Sequence, residues 1–200
     1  MYQCGNRRGD RVMNLPVLIP LKDGHPIVWP VIRGLAAQSL PVDVIAVSRP
    51  ARIDELIYSD SAHGYQSQAQ TRNELVRAFL NAIKQWDWFG CFGCMLASDI
   101  VLLKPDVLSR AFVKMVNDPA LMVVYILPEP IPGIPIHQDI GCMMVRRCVL
   151  EEIEFRSLRA ETCNCVKFIE DVAAKKWKTE NFNESGLIQV VDRTQFGYSN

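Results

Sequence analysis

The sequence predicts an α/β sandwich built on a largely parallel sheet. Short segments rich in Val, Ile and Leu alternate with amphipathic segments along the chain. The first kind has the length of strands, and the second repeats apolar residues every three or four positions, as helices do. Strands that alternate with helices are typical of βαβ units, in which helices cover the faces of a sheet. The 200 residues, 49% of them apolar, are enough for one such domain.

Each element follows from its local pattern. The segments predicted to be strands are 15–21, 42–48, 92–96, 120–127, 140–147 and 187–193. The segments predicted to be helices are 27–40, 71–86, 104–116, 149–155 and 166–177. The clearest helix is 71–86, because Leu75, Phe79 and Ile83 recur every four residues. Residues 1–14 are expected to form a flexible basic arm, residues 49–70 a polar loop and residues 128–139 a proline-rich loop.

The charge balance excludes some partners. Lys and Arg number 22, and so do Asp and Glu, so the chain has no net field to attract nucleic acid or an acidic membrane. No apolar run approaches the roughly 18 residues of a transmembrane helix. We therefore expect a cytoplasmic protein with no nucleic-acid partner and no transmembrane segment. The oligomeric state is left open.

The seven cysteines allow three interpretations. Cys91, Cys94, Cys142 and Cys148 flank apolar runs, which favours buried thiols in a cytosolic protein. A disulfide is a second possibility. Zinc is the third, but the Cys163-x-Cys165 spacing does not suit a zinc ribbon or finger.

Polar residues follow three of the predicted strands. They are Lys22-Asp23, Ser48-Arg49 and Ser98-Asp99. Ligands of α/β sheets bind beyond the carboxyl ends of the strands, where loops and helix N-termini converge. The sequence therefore predicts a ligand site at this edge.

Six segments, read in order, resemble the GT-A glycosyltransferases, particularly the inverting family-2-like enzymes. They are "IPLKDGHP", "LAAQSLPVDVIAVS", "GYQSQAQTRNELVRAF", "MLASDIVLLKPDVL", "IGCMMVRRCVLEEIEF" and "FIEDVAAKKW". The resemblance covers residues 15 to 192 and implies a GT-A α/β/α sandwich with a mostly parallel mixed sheet. It implies one domain over 15–200, with a nucleotide-binding half (15–103) and an acceptor half (104–200). Ala97 replaces the first Asp of the metal motif of the family, so Ala97-Ser98-Asp99 is a degenerate form of it.

The resemblance also implies an activity, the transfer of a sugar from a UDP- or GDP-type donor to a hydroxyl of a glycan, lipid or protein acceptor. Mn²⁺ or Mg²⁺, which prefer hard oxygen ligands, would be held by Asp99. Asp171 corresponds to the general base, with Glu170 as the neighbour that could take its place. The implied acceptor contacts are His137 and Asp139. The implied donor contacts are Pro20, Lys22, Asp23, Ser48, Arg49, Arg72, Ser98 and Asp99.

Ordinary structural interpretations stand beside these roles. Asp99 is also explained as a solvated turn residue, and Arg72 as a surface charge or loop anchor. Asp171 is also explained as a solvated carboxylate paired with Lys175 at i+4. Two other functions remain open: a non-catalytic GT-A-like binding module, which Ala97 favours, and a sugar nucleotidyltransferase.

Overall fold

A computed structural model of the chain describes residues 14–21, 27–48, 61–83, 91–127, 141–156, 164–182 and 184–191. The strands in these segments are β1 (Leu15–Leu21), β2 (Val42–Ser48), β3 (Phe92–Leu96), β4 (Ile100–Leu102), β5 (Leu121–Ile126), β6 (Cys142–Arg146), β7 (Lys178–Phe182) and β8 (Ile188–Val190). The helices are α1 (Trp29–Ala36), α2 (Ser61–Ile83), α3 (Val107–Asn117), α4 (Arg147–Glu152) and α5 (Asn164–Ala174). Among the described residues, no helix is both long and apolar enough to cross a bilayer.

The main sheet is mixed and mostly parallel, which confirms the predicted fold class. Its described strands lie in the order β2-β1-β3-β6-β5-β7. β1 runs parallel to β2 and to β3, and β5 runs parallel to β7. β6 alone among them is antiparallel to its neighbours, β3 and β5. β4 and β8 pair as a separate antiparallel ribbon.

Helices cover both faces of this sheet because its strands alternate apolar side chains between two cores. Along β1, Val17 and Ile19 enter one core and Leu18 the other. The first core is closed by α1, α3 and the β4–β8 ribbon, and the second by α2, α4 and α5. The result is the predicted α/β/α sandwich.

Several predicted helices differ from the structure in their bounds, and the strands β4 and β7 were not predicted. α2 begins at Ser61, ten residues before the predicted helix and within the expected loop, because Ala and Gln there are good helix formers. α1 has 8 residues, shorter than predicted, with Pro30 in its first turn as expected. α4 ends at Glu152, so the helix predicted to Phe155 stops early. β7 was not predicted at all, because Lys-Thr-Glu-Asn-Phe lacks an apolar pattern.

α1 packs closely against β4 through a glycine. A Cβ added to Gly34 would lie 2.8 Å from the carbonyl oxygen of Leu102 and 3.0 Å from its nitrogen. Real Cβ atoms do not approach backbone atoms so closely, so only glycine permits this contact between the helix and the strand.

Replacing Gly34 by Ala should therefore separate α1 from β4. We expect Gly34→Ala to lower the free energy of unfolding by about 1–3 kcal/mol, although alanine is the better helix former. Gly93→Ala is the matched control, because its Cβ would meet the movable Leu18 side chain at 3.0 Å. Urea denaturation measures both variants. A Gly34→Ala chain as stable as the wild type would contradict the close contact.

Candidate functional site

The carboxyl ends of β1, β2 and β3 meet at one edge of the sheet. Leu21 at the end of β1 is in register with Ser48 at the end of β2. Leu96 at the end of β3 is in register with Cys142 at the start of antiparallel β6. This edge, called the carboxyl edge below, is where the sequence predicts the ligand site.

A turn with three backbone hydrogen bonds connects β3 to β4 at the carboxyl edge. The Ile100 amide donates to the Ala97 carbonyl (3.1 Å), which closes the turn. The Ala97 amide donates to the Gly141 carbonyl (2.6 Å), and the Val191 amide donates to the Asp99 carbonyl (2.8 Å). The turn is thus held from the β6 side and from the β8 side. Ser98 is buried in it and Asp99 is half-buried.

The side chains of this turn offer few metal ligands. The Ala97 methyl group has no ligand atom, which leaves the Ser98 hydroxyl and the Asp99 carboxylate. The described residues contain no group of three His, Cys, Asp or Glu side chains able to hold a metal by themselves. Magnesium, however, is commonly bound through one or two carboxylates while phosphates and water complete its coordination. The single Asp99 carboxylate is the protein ligand that such a shared site would use, and its role as a metal ligand stays a prediction.

Arg72, predicted to contact the donor, is buried between two helices. Its side chain lies in α2, is 7% exposed and donates to the Oδ1 of Asn164 and the Sγ of Cys165 at the start of α5. Its guanidinium also lies 5.7 Å from the centre of the Phe155 ring. A buried cation requires such partners. These contacts match the interpretation of Arg72 as an anchor, and its donor contact stays a prediction.

The next residue, Asn73, holds the chain just before residue 157. Its Nδ2 donates to the Phe155 carbonyl and its Oδ1 accepts from the Phe155 amide, both at 2.8 Å. The Phe155 ring stacks on Phe168 of α5, with centroids 4.6 Å apart. Because α2 starts at Ser61, Asn73 lies inside this helix. Arg72 and Asn73, which we call the Arg-Asn anchor, thus hold Phe155 and the start of α5 against α2.

Asp171 lies in two ion pairs. Arg156 donates to both of its carboxylate oxygens at 3.1 Å, and the Lys167 Nζ lies 2.7 Å away. Burial acts to raise the pKa of Asp171, but the hydrogen bonds from Arg156 and Lys167 outweigh it and hold the pKa below its usual range. The expected Asp171–Lys175 pair is absent, since Lys175 pairs with Glu152 at 2.9 Å. Glu170 is exposed and lies 3.4 Å from Lys167.

The structure does not bring Asp171 to the turn that carries Asp99. Asp171 is seven residues beyond the start of α5, about 10 Å along the helix axis, and α5 runs away from the carboxyl edge into β7. Its side chain lines a cleft of about 530 Å³ formed by Glu152, Ile153, Glu154, Arg156, Asp171, Ala174 and Lys175. Glu152 ends α4, which follows the end of β6 at the opposite edge. The role of Asp171 as a base stays a prediction.

Several other predicted site residues are only partly described. Pro20 is half-buried in β1, and the backbone of Ser48 ends β2. Five predicted site residues lie outside the described residues: Lys22, Asp23, Arg49, His137 and Asp139.

Four of the cysteines are free thiols, and for Cys94, Cys142 and Cys148 this is what their apolar neighbours predict. Cys91, the remaining cysteine of that prediction, is disulfide-bonded, so the thiol interpretation is wrong there and the disulfide interpretation holds. Cys94, Cys142 and Cys165 are buried and Cys148 is half-buried. A hydrogen bond to Cys94 and burial raise the pKa of Cys142, so its thiol stays protonated.

No family model and no curated protein sequence matches the chain, but solved structures share its fold. Glucosyl-3-phosphoglycerate synthase from Mycobacterium tuberculosis, with Mn²⁺, UDP and phosphoglyceric acid, has a TM-score of 0.56 at 13% identity and covers 96% of this chain and 79% of its own. A Drosophila galactosyltransferase with manganese, UDP-Gal and xylobiose has a TM-score of 0.55 at 12% identity, covering 92% and 74%. A CMP:2-keto-3-deoxy-manno-octonic acid synthetase with CTP has a TM-score of 0.53 at 13% identity, covering 86% and 90%. The chain therefore has the fold of the GT-A glycosyltransferases and nucleotidyltransferases, as the resemblance implied.

The Arg-Asn anchor can be tested through Asn73. Asn73→Ala leaves the buried amide and carbonyl of Phe155 without partners, so we expect it to lower the free energy of unfolding by about 1–3 kcal/mol. Gln70→Ala, on the exposed side of the same helix, is the control and should change stability little. Chemical denaturation distinguishes the two. Equal stabilities for both variants would show that the Asn73 hydrogen bonds contribute nothing to the stability of the fold.

Proposed function

We propose that the chain is a glycosyltransferase that takes a sugar from a nucleotide-diphosphate sugar and transfers it to an acceptor hydroxyl. The observation that carries the proposal is the fixed Ala97–Ile100 turn, which presents Asp99 at the carboxyl edge of a GT-A sheet. Two structures of the same fold contain UDP or UDP-Gal together with manganese. A nucleotide-sugar donor at the carboxyl edge is consistent with both facts.

The residues of the turn have distinct tasks in this proposal. As the glycosidic bond breaks, negative charge accumulates on the diphosphate leaving group. Mn²⁺ or Mg²⁺ would neutralise this charge as a Lewis acid when bound. The Asp99 carboxylate supplies the protein ligand to that ion, and the Ser98 hydroxyl supplies a hydrogen bond to the ribose. The backbone bonds of the turn fix both positions before the donor arrives, so little ordering is needed on binding.

Inverting transfer needs a general base for the acceptor hydroxyl, and Asp171 is our candidate by its place in the sequence. Its ion pairs with Arg156 and Lys167 keep it ionised, which a base requires. The same pairs make it a weaker base, since efficiency rises as the pKa approaches the working pH. Its distance along α5 from the carboxyl edge also counts against direct contact with the donor. The inverting outcome therefore depends on a direct test of this residue.

A sugar nucleotidyltransferase is the second candidate. The CTP-bound synthetase with the same fold favours it. That reaction releases pyrophosphate, whereas glycosyl transfer releases a nucleoside diphosphate. The loop after β1 would have to hold a triphosphate, and "LKDGHP" contains a single glycine and a single lysine. This composition favours glycosyl transfer.

A donor panel read by thermal shift tests the proposal. At 100 times its Kd, a UDP- or GDP-sugar should stabilise the fold by about 2.7 kcal/mol, or about 5–10 °C in Tm, with Mn²⁺ and much less with a chelator. Asp99→Asn should remove the metal-dependent part of this shift. Asp106→Asn, at the start of α3, is the matched control and should keep it. No shift with any nucleotide sugar would overturn the proposal.

Two readouts on one variant separate the possible roles of Asp171. If Asp171 is the base, Asp171→Asn should lower kcat by about 10²–10⁴-fold without changing donor Kd, and Glu170→Gln should not. Folding lowers the pKa of Asp171, so its ionised carboxylate stabilises the folded state fully above the unfolded pKa of about 4. This stabilisation is lost as the pH falls through the lower pKa that Asp171 has in the folded state. Asp171→Asn should therefore make the free energy of unfolding depend less on pH in the acidic range. If the pH dependence of stability becomes weaker while kcat is unchanged, Asp171 has a structural role alone.

A further inference from the structure

Cys91, which directly precedes β3, is disulfide-bonded and packs against the first core. The sequence contains seven cysteines, and the other four in the described part of the chain are free thiols. The sulfur bonded to Cys91 therefore belongs to Cys4 or to Cys163, which both lie outside the described residues. The contacts of the described residues around Cys91 distinguish between these two.

Cys91 lies at the edge of the sheet where β1 and β3 begin, which we call the amino edge. Its carbonyl accepts a hydrogen bond from the Arg147 amide at 2.8 Å, directly after β6 ends there. Phe92, the next residue, is in register with Arg146 at the end of β6. A disulfide joins residues whose Cα atoms are less than about 7 Å apart. The partner of Cys91 must therefore also reach the amino edge.

The position of Asn164 excludes Cys163, to which it is directly bonded. Asn164 begins α5, and α5 leads into β7, which starts at the amino edge because it is parallel to β5 and β5 is antiparallel to β6. The 11 residues of α5 span about 16 Å, so the helix begins far from that edge. Cys165, the second residue of α5, packs in the second core, whereas Cys91 packs against the first. The sheet itself lies between them.

The contacts of α2 give an independent check. Arg72 donates a hydrogen bond to Asn164 and lies seven residues, about 10 Å, before Phe79. The Phe79 ring lies beside Gly93, 3.5 Å from a Cβ built there, and α2 leads into β3 at the amino edge. Arg72, and Asn164 with it, therefore lies on the far side of Phe79 from that edge. One chain step, about 3.8 Å between Cα atoms, is too short to bring Cys163 back to it.

The start of β1 lies beside Cys91 and brings Cys4 within reach. Val17 in β1 is paired with Cys94 in parallel β3, so the same register three residues earlier sets Asn14 level with Cys91. Adjacent strands lie about 4.8 Å apart. Cys4 is ten residues before Asn14 in the sequence, and a chain of this length spans up to about 33 Å. The chain is therefore long enough to return Cys4 to Cys91.

We propose that Cys4 and Cys91 form a disulfide that fastens the start of the chain to the amino edge. Each thiol loses a proton as the S–S bond forms, and two electrons pass to a disulfide oxidant such as oxidised glutathione, which leaves as two thiols. The bond stabilises the fold because it restricts the unfolded chain over a long loop. This inference is independent of the proposed function, since the amino edge is opposite the carboxyl edge.

A peptide map made without reduction identifies the bonded pair. The purified chain is equilibrated with reduced and oxidised glutathione, unfolded in N-ethylmaleimide to block free thiols, and digested with trypsin. We expect peptide 1–7, which contains Cys4, to be linked to peptide 85–109, which contains Cys91. Mass spectrometry of the intact and the fragmented peptides detects this link.

Two features of the map can overturn the assignment. Peptide 85–109 also contains Cys94, so the fragment ions should place the bond on Cys91 and show Cys94 alkylated. A link from 85–109 to peptide 160–167, which contains Cys163, would make the proposed pairing wrong. A chain in which every cysteine is alkylated would do the same.

Thermal unfolding with and without dithiothreitol gives a second readout. Reduction of the wild type should lower Tm by about 5–20 °C, because the cross-link is lost. Cys4→Ser should have the Tm of the reduced wild type and should not respond to dithiothreitol. Cys163→Ser is the matched control and should keep both the wild-type Tm and its response. If Cys4→Ser keeps that response, the pairing is wrong.

Discussion

Two backbone hydrogen bonds hold the turn on which the candidate site depends, Ala97 to Gly141 and Val191 to Asp99. The first exists because β6 is antiparallel and begins where β3 ends, so a carbonyl is available at the carboxyl edge. The second ties the turn to the residue that follows β8. The β4–β8 ribbon, and through Gly34 the helix α1, take their places from the same turn. One reversal of strand direction thus positions Asp99, Ser98 and the start of α1 together.

The helices on the two faces of the sheet differ in the contacts that they make. On the first face, α1 and the ribbon extend to the carboxyl edge and present half-buried or exposed side chains there. On the second face, polar contacts inside the protein join α2 to the start of α5 and to Phe155, which follows α4. The Arg-Asn anchor buries a guanidinium and satisfies a backbone peptide with an amide side chain. Such contacts are costly to break, since each leaves a polar group without water or partner, and they make this layer a rigid support.

The sequence predicts well whatever depends on local apolar pattern. β1, β2, β3, β5 and β6 are apolar runs of strand length, and α3 and α5 show the helical repeat. β7 is not predicted from the sequence because its residues are polar and exposed. The strand is held by hydrogen bonding to the backbone of β5 and by ion pairs such as Lys178–Asp118 and Lys114–Glu180. One partner of Asp171 is not predicted either. Helical spacing offers Lys175 and Lys167 as neighbours, of which Lys167 pairs with Asp171, but the second partner, Arg156, is supplied by tertiary packing. The Asp99 position, in contrast, is visible as a polar break after an apolar strand.

We expect a nucleotide-diphosphate donor to bind at the carboxyl edge and not in the cleft beside Asp171. Hydrogen–deuterium exchange with a UDP- or GDP-sugar and Mn²⁺ tests it most directly, because it locates protected amides along the chain. A donor bound at the carboxyl edge should increase protection in residues 27–33 and 97–102 and leave residues 152–156 and 171–175 unchanged. Protection confined to 152–156 and 171–175 would contradict it.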